Sequence, residues 1–283
     1  MAIREILLPL VSYPVLVEEA AIKKAVLVAA HLDARITAVS FDLDIHFPGG
    51  IYTRPFTTDG LVIETPEHEK SLVNAEKMMA IFDTAARASG IVYDKTIKRC
   101  TAEDLTSYLA ICARTSDLSL VPVRPFDDMH EKVVDGLIFE SGRPLLIFSE
   151  EMADRLSDSF NYVVIAWDHS QQATRAVADA MPFLRRAKTA RIVTATDSQT
   201  LAQATSGESL VRHLAAHGIK AVFEAVPMDE FSTGEVFEAY VKKYAIDLLV
   251  MGAYRHSRLK EFFLGGATYT VIGHPPCWVL MSH

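Results

Sequence analysis

The chain has 283 residues, of which 50% are hydrophobic, 23% charged and 9% aromatic. That is too apolar for a disordered polymer, and long enough for two domains that bury their own cores without disulfides or a structural metal. The formal charge of −8, from 28 basic and 36 acidic side chains, opposes broad binding to nucleic acid or anionic lipid. No apolar run approaches the roughly 18 residues of a bilayer span.

The first segment, MAIREILLPLV, places Arg4 and Glu5 ahead of a short apolar run. It is too short and too charged for a secretory signal and reads as a buried strand. An alanine-rich helical pattern covers 17–32, and a strand beginning Ala-Arg-Ile covers 34–42. The stretch 43–70, with Pro48, Gly49, Gly50, Pro55, Gly60 and Pro66, reads as a long excursion. Its Phe47, Ile51, Tyr52 and Phe56 are the candidate contact with a second copy of the chain. A long helix then ends in Ser89-Gly90-Ile91. A strand over 92–99, a helix over 104–116, the strand LSLVPV after Asp117 and the strand RPLLIFS at 143–149 complete this half. Between the last two lies RPFDDMHEKVVDGLIFESG, read as an acidic loop whose Asp127, Asp128, Glu131 and Asp135 would repel phosphate.

After a polar linker, EEMADRLSDSFN, the same order recurs. YVVIAW at 162–167 repeats the first strand, QQATRAVADAMPFLRRA the helix, and ARIVTATD at 190–197 the second strand. His217-Gly218-Ile219 closes the next long helix. KAVFEAVP, the helix over 234–245, LLVMGA after Asp247 and PCWVLMS at 276–282 follow. Strands of near-continuous Val, Ile and Leu alternating with helices indicate parallel sheets covered on both faces. The predicted architecture is therefore α/β, with two tandem doubly wound domains over about 1–150 and 158–283, each a five-stranded parallel sheet, related by a pseudo-twofold. Ligands of such sheets sit at the carboxyl ends of the strands, at the switch point.

The chemistry concentrates after the fourth strand of the second half, in GAYRHSRLKEFFLGGATYTVIGHPPCWVL. Gly252 is expected to let the backbone turn off the strand end. Gly265-Gly266-Ala267-Thr268 opens a predicted helix whose free N–H groups would take an anion. Arg255, His256, Arg258 and Lys260 add local positive charge between them, and phosphate is the natural guest. In the first half Val11 stands where Asp168 stands in the second, no glycine pair follows the fourth strand, and the half reads as a degenerate copy. The three cysteines, Cys100, Cys112 and Cys277, form no CxxC pair, which fits a reducing compartment and a cytoplasmic location. Cys277 with His256, His274 and His283 matches no established zinc spacing. Neither a Walker A loop nor a nucleophile elbow occurs.

The loop after Gly252 resembles the nucleotide loop of universal stress proteins: Gly, two residues, Gly, nine residues, Gly, then Ser or Thr. Gly252 and Gly265 match its first and third glycines; Arg255 replaces the second, and Gly266 stands at the Ser or Thr. GHPPCWVL resembles the family's last strand, and Asp168-His169-Ser170 its Asp-Gly-Ser after the first strand. The resemblance covers the chain as two copies, strong in the second. It implies an adenine nucleotide alpha hydrolase-like fold and a stress-response regulatory module without catalytic residues. The ligand would be ATP or another adenine nucleotide, with no metal beyond nucleotide-borne magnesium. Asp168 would bond the adenine or ribose; Ala166, Ala195, Met251, Gly252, Tyr254, Arg255, Gly265, Gly266, Ala267 and Thr268 would complete the pocket. Arg255 either blocks the phosphate space or reaches the phosphates as a charge-assisted donor. In the first case the chain is instead a nucleotide-free scaffold for a protein partner. Monomer, as an intramolecular pseudo-dimer, and homodimer are both open; nucleic acid and membrane are not expected partners.

Overall fold

The computed structural model describes residues 2–45, 66–125, 127–196, 201–253 and 274–283, and the side chains of these apart from 201–204. The first half runs β1 (Glu5–Leu10), α1 (Glu19–Leu32), β2 (Arg35–Asp44), α2 (Pro66–Ser89), β3 (Tyr93–Thr101), α3 (Ala102–Ala113), β4 (Leu118–Val123), α4 (Asp128–Glu140) and β5 (Leu145–Ser149). A short 3-10 turn, Glu150–Met152, opens the linker. The second half runs β6 (Tyr162–Ala166), α5 (Gln171–Leu184), β7 (Thr189–Thr196), α6 (Leu201–Ala216), β8 (Ala221–Pro227), α7 (Thr233–Tyr244), β9 (Leu248–Gly252) and β10 (Trp278–Ser282).

The strands lie in the order β3-β2-β1-β4-β5-β10-β9-β6-β7-β8. Each half is thus a parallel doubly wound set, and the halves sit side by side rather than interleaved. Their junction is antiparallel: Val279 pairs with Ile147 and Leu280 with Leu146. Ser149 and Ser282 end the two strands, so Leu146 corresponds to Val279 and Ile147 to Leu280. Exchanging the halves maps these two pairs onto each other, which places a pseudo-twofold between them. Strand alternation divides the core. Ile6, Leu8 and Leu10 of β1 join α1, α2, α5 and α6 on one face, whereas Leu7 joins the face of α3, α4 and α7.

The repeat extends to single atoms. Asp117 Oδ2 accepts from the N–H groups of Arg4 at 2.8 Å and Glu5 at 3.0 Å. Asp247 Oδ2 accepts from those of Asn161 at 2.8 Å and Tyr162 at 2.9 Å. Each aspartate, one residue before a fourth strand, pins the start of the first strand beside it. Asp247→Ala is expected to cost about 2 kcal/mol, because two backbone donors lose their acceptor. Asp247→Asn, which keeps an acceptor oxygen, is expected to recover more than half of that in urea titrations. Gly90 and Gly218, at φ of 65° and 78°, close α2 and α6 in the left-handed conformation that the two Gly-Ile signals predict.

Two expectations need correction. The excursion is shorter than 43–70. β2 continues to Asp44, held by pairing with β3 as far as Thr101 and by the fully buried Leu43. Residues 66–70 begin α2, where Pro66 suits a first helical position, having no N–H to leave unpaired. Phe47, Ile51, Tyr52 and Phe56 lie outside the described residues. The acidic stretch after β4 is not a loop either. Asp127 is an N-cap, its Oδ1 accepting from the N–H groups of Met129 and His130, and Asp128 and Glu131 occupy the first turn of α4, where the helix dipole favours them.

Candidate functional site

The reversal of strand order in the second half falls between β9 and β6, with β7 on the far side of β6. Ile165 pairs with Val250, so one step on Ala166 stands beside Met251. Ala195 and Met251 are buried on the α7 face, and Ala166 packs against the same cluster. The structure therefore brings Ala166, Ala195 and Met251 together at the carboxyl ends of three adjacent strands. Trp167 points the other way. It packs among α5 and α6, and its Nε1 donates to Ser206 Oγ at 3.1 Å.

Asp168 follows directly. Thr194 Oγ1 donates to the Trp167 carbonyl at 2.6 Å, and the Trp167 N–H donates to the Val193 carbonyl at 2.9 Å, extending the β6–β7 ladder to the edge of the site. The chain then turns at His169, with φ at 67°. Histidine is among the side chains that tolerate such a φ. Asp168 Oδ1 accepts from the Ser170 N–H at 3.1 Å and from Ser170 Oγ at 2.6 Å, and Ser170 Oγ in turn accepts from the Ala173 N–H at 2.9 Å. Ser170 is the N-cap of α5, so the aspartate and the helix start are one hydrogen-bonded unit. The Ser before an alanine-rich helix signals this cap; nothing in the sequence signals Thr194.

Gly252 has a different role from the expected one. It is still within β9, paired with Ser282, and its φ is not positive. A Cβ there would meet Ala173 N and Gln172 C at 2.7 Å each. The glycine exists so that the first turn of α5 can lie directly on the strand end, bringing helix N-terminus and strand ends into one place. Beyond it, the Ala253 N–H donates to the Ser282 carbonyl at 2.7 Å, and His283 Nδ1 lies 2.9 Å from the Ala253 carbonyl oxygen. Tyr254, Arg255, Gly265, Gly266, Ala267 and Thr268 lie outside the described residues, as do His256, Arg258 and Lys260. Cys277 is buried in the core, where desolvation pushes its thiol far up, and its Sγ lies 3.2 Å from the Trp278 carbonyl oxygen. Among the described residues no group of three metal-ligating side chains comes together.

The corresponding place in the first half holds a carboxyl group of the chain itself. Val11 is buried, and the Glu18 N–H, at the N-cap of α1, donates to Glu150 Oε2 at 3.1 Å. Arg124, just past β4, reaches the same oxygen at 2.9 Å and the Leu16 carbonyl at 3.0 Å. His130 Nε2 lies 3.7 Å from Glu150 Oε1, and Asp127 Oδ2 3.2 Å from His130 Nδ1. Burial pushes the Glu150 carboxyl up, with Arg124, the Glu18 N–H and His130 pulling against it. Burial also opposes the charge of Asp127, but the contacts to His130 hold its carboxyl below the usual range. A carboxyl group thus already occupies this helix start, and it is covalently part of the chain. Sequence reading missed Glu150 because it looks like one more polar linker residue.

Residues 159–283 match the model of the universal stress protein family. That match covers the second half of the chain. The whole chain is similar in fold to the crystal structure of a universal stress protein from Archaeoglobus fulgidus, at 15% identity and a TM-score of 0.70 over 98% of this chain and 95% of that one. It is also similar to a functionally unknown protein from Pseudomonas aeruginosa, at 14% identity and a TM-score of 0.54 over 99% and 92% of the two chains. No curated protein matches the sequence. These likenesses span both halves, so the α/β fold is shared along the full length. No helix among the described residues is long and apolar enough to cross a membrane.

Proposed function

We propose that the chain binds one adenine nucleotide, in its second half, and works as a nucleotide-responsive regulatory module of the stress response rather than as an enzyme. The observation that carries this reading is the Asp168–Ser170 unit. A carboxylate is fixed at the switch point by the cap of α5, while Gly252 seats that helix start on the strand end. The carboxylate suits the hydroxyl or amino donors of a nucleoside, and Ala166, Ala195 and Met251 offer an apolar wall for a base. The phosphates would fall to the backbone N–H groups of Gly266, Ala267 and Thr268, with any magnesium carried by the nucleotide. The match of residues 159–283 to the family supports this placement.

Arg255 favours a second reading, in which the site is closed and the chain is a scaffold for a protein partner. The two separate on purified protein. Nucleotide binding predicts an adenine compound released on denaturation, and Gly266→Val abolishes it by adding a branched side chain where phosphates approach. Arg255→Gly then tells how the arginine acts. A blocking arginine makes the variant bind ATP more tightly than the parent in calorimetry. A phosphate-binding arginine makes it weaker by about 1.5–3 kcal/mol and less salt-dependent. Undetectable binding in both leaves the scaffold.

A further inference from the structure

The two halves fill the space between their first two helices differently. In the first half Ile22 and Val26 of α1 and Met78, Met79 and Phe82 of α2 are all buried in one cluster. Aligning Glu19–Leu32 with Gln171–Leu184, and Gly90 with Gly218, puts Thr174 and Ala178 at the places of Ile22 and Val26. It puts Ser206, Gly207 and Leu210 at those of Met78, Met79 and Phe82. All five exchanges remove apolar volume, and interiors do not leave such volume unused without consequence. Three of these places, Thr174, Ala178 and Leu210, line a cleft of about 290 Å³ between α5 and α6, whereas the Phe223 ring lies against Gly207 and Ser206 accepts from Trp167 Nε1.

The cleft is apolar along its length and cationic at one end. Trp167, Val177, Met181 and Leu210 line it, and Arg185, His213 and His217 stand where the two helices finish. The Arg185 guanidinium has no hydrogen bond or ion pair among the described residues. The two histidines touch only edge to face, with ring centroids 4.9 Å apart. Helix carboxyl ends favour cations by themselves, but that does not explain trimmed walls. Gly207 is fixed by its neighbour, since a Cβ there would meet the Phe223 ring at 2.3 Å. Position 207 therefore faces Phe223 and is not part of the cleft wall.

We propose that this cleft binds a medium-chain carboxylate. The alkyl chain lies along Val177, Met181 and Leu210 towards Trp167, and the carboxylate rests on Arg185 between the two histidines. An apolar guest replaces the side chains that the first half supplies for itself, and the lone guanidinium selects an anion, bidentately. The site is on the opposite face of the sheet from Ala166, Ala195 and Met251, so it does not depend on the nucleotide reading.

The test is a titration with decanoate, read by tryptophan emission and calorimetry. Of the two tryptophans, Trp278 is fully buried with its Nε1 on the Ser157 carbonyl, so the responding one is Trp167. Saturable binding of one decanoate per chain is expected, unaffected by ATP. Octanoate is expected to bind more weakly by about four-fold per missing methylene. Arg185→Gln should weaken decanoate about ten-fold or more while leaving decanol unchanged. The double variant Thr174→Ile with Ala178→Val restores the first half's side chains. It should melt no lower than the parent and lose decanoate. The proposal is overturned by any of four results: no saturable response below the micelle concentration, displacement by ATP, equal affinity for decanoate and decanol, or undiminished binding by the filled variant.

Discussion

Gly252→Ala is expected to lower stability by about 2 kcal/mol and Gly252→Val by about 3 kcal/mol, as overpacking against rigid neighbours does. The Cβ itself is the difficulty. Its nearest atoms would be the backbone of Gln172 and Ala173 at 2.7 Å, which cannot swing aside like the end of a side chain. The start of α5 must lift from β9, and Ser170 and Asp168 move with it, because all three are joined by hydrogen bonds. Both variants should therefore lose nucleotide affinity together with stability. Gly142→Ala is the control. That glycine has φ of 69° but nothing within 4 Å of its Cβ position, so only the conformational cost of about 1 kcal/mol applies and the site is untouched. Urea midpoints of the three variants check the order. A Gly252→Ala no worse than Gly142→Ala would show that α5 is not held on the strand end.

Arg124→Ala is expected to cost about 2–3 kcal/mol at pH 7, since it strands the buried Glu150 carboxylate at the start of α1. The pH dependence has a definite sign. A carboxyl whose pKa is raised by folding takes up a proton on folding, so its burden on the native state exists above its unfolded value, near 4.5, and fades as pH falls towards it. Without Arg124 the pKa rises further and the burden grows. The deficit of the variant relative to the parent should therefore be largest at pH 7 and clearly smaller at pH 5. Asp127, held below the usual carboxylate range, loses its contribution in the opposite sense, but it is common to both proteins and drops out of the difference. A deficit independent of pH would mean that Arg124 acts by packing alone.

What the sequence made legible follows from what repeats in it. The paired aspartates before β4 and β9, the paired Gly-Ile helix ends and the alternation of apolar strands with helices led directly to two doubly wound units. Each rests on a local rule: a carboxylate accepting from N–H groups, a left-handed glycine, an inward-facing strand. Features that depend on a distant neighbour were not legible. Gly252 reads as a turn residue until α5 is seen lying on it. Glu150 reads as linker until Arg124 and the Glu18 N–H close around it. Asp127, Asp128 and Glu131 read as a repelling loop, although a run of acids before an apolar period is also how a helix begins. Ala166, Ala195, Met251 and Asp168 were read correctly as neighbours at the strand ends, and Gly266, Ala267 and Thr268, proposed for phosphate, lie outside the described residues.

The two halves differ: in one an aspartate follows the first strand at the start of the next helix, in the other an internal carboxyl group lies on the helix start. The direct measurement is calorimetric titration of nucleotide-free protein with ATP, counting sites per chain, alongside Asp168→Ala and Glu150→Gln. One site per chain is expected, lost in Asp168→Ala and kept in Glu150→Gln. Two equivalent sites, or one site that survives Asp168→Ala, would contradict that expectation.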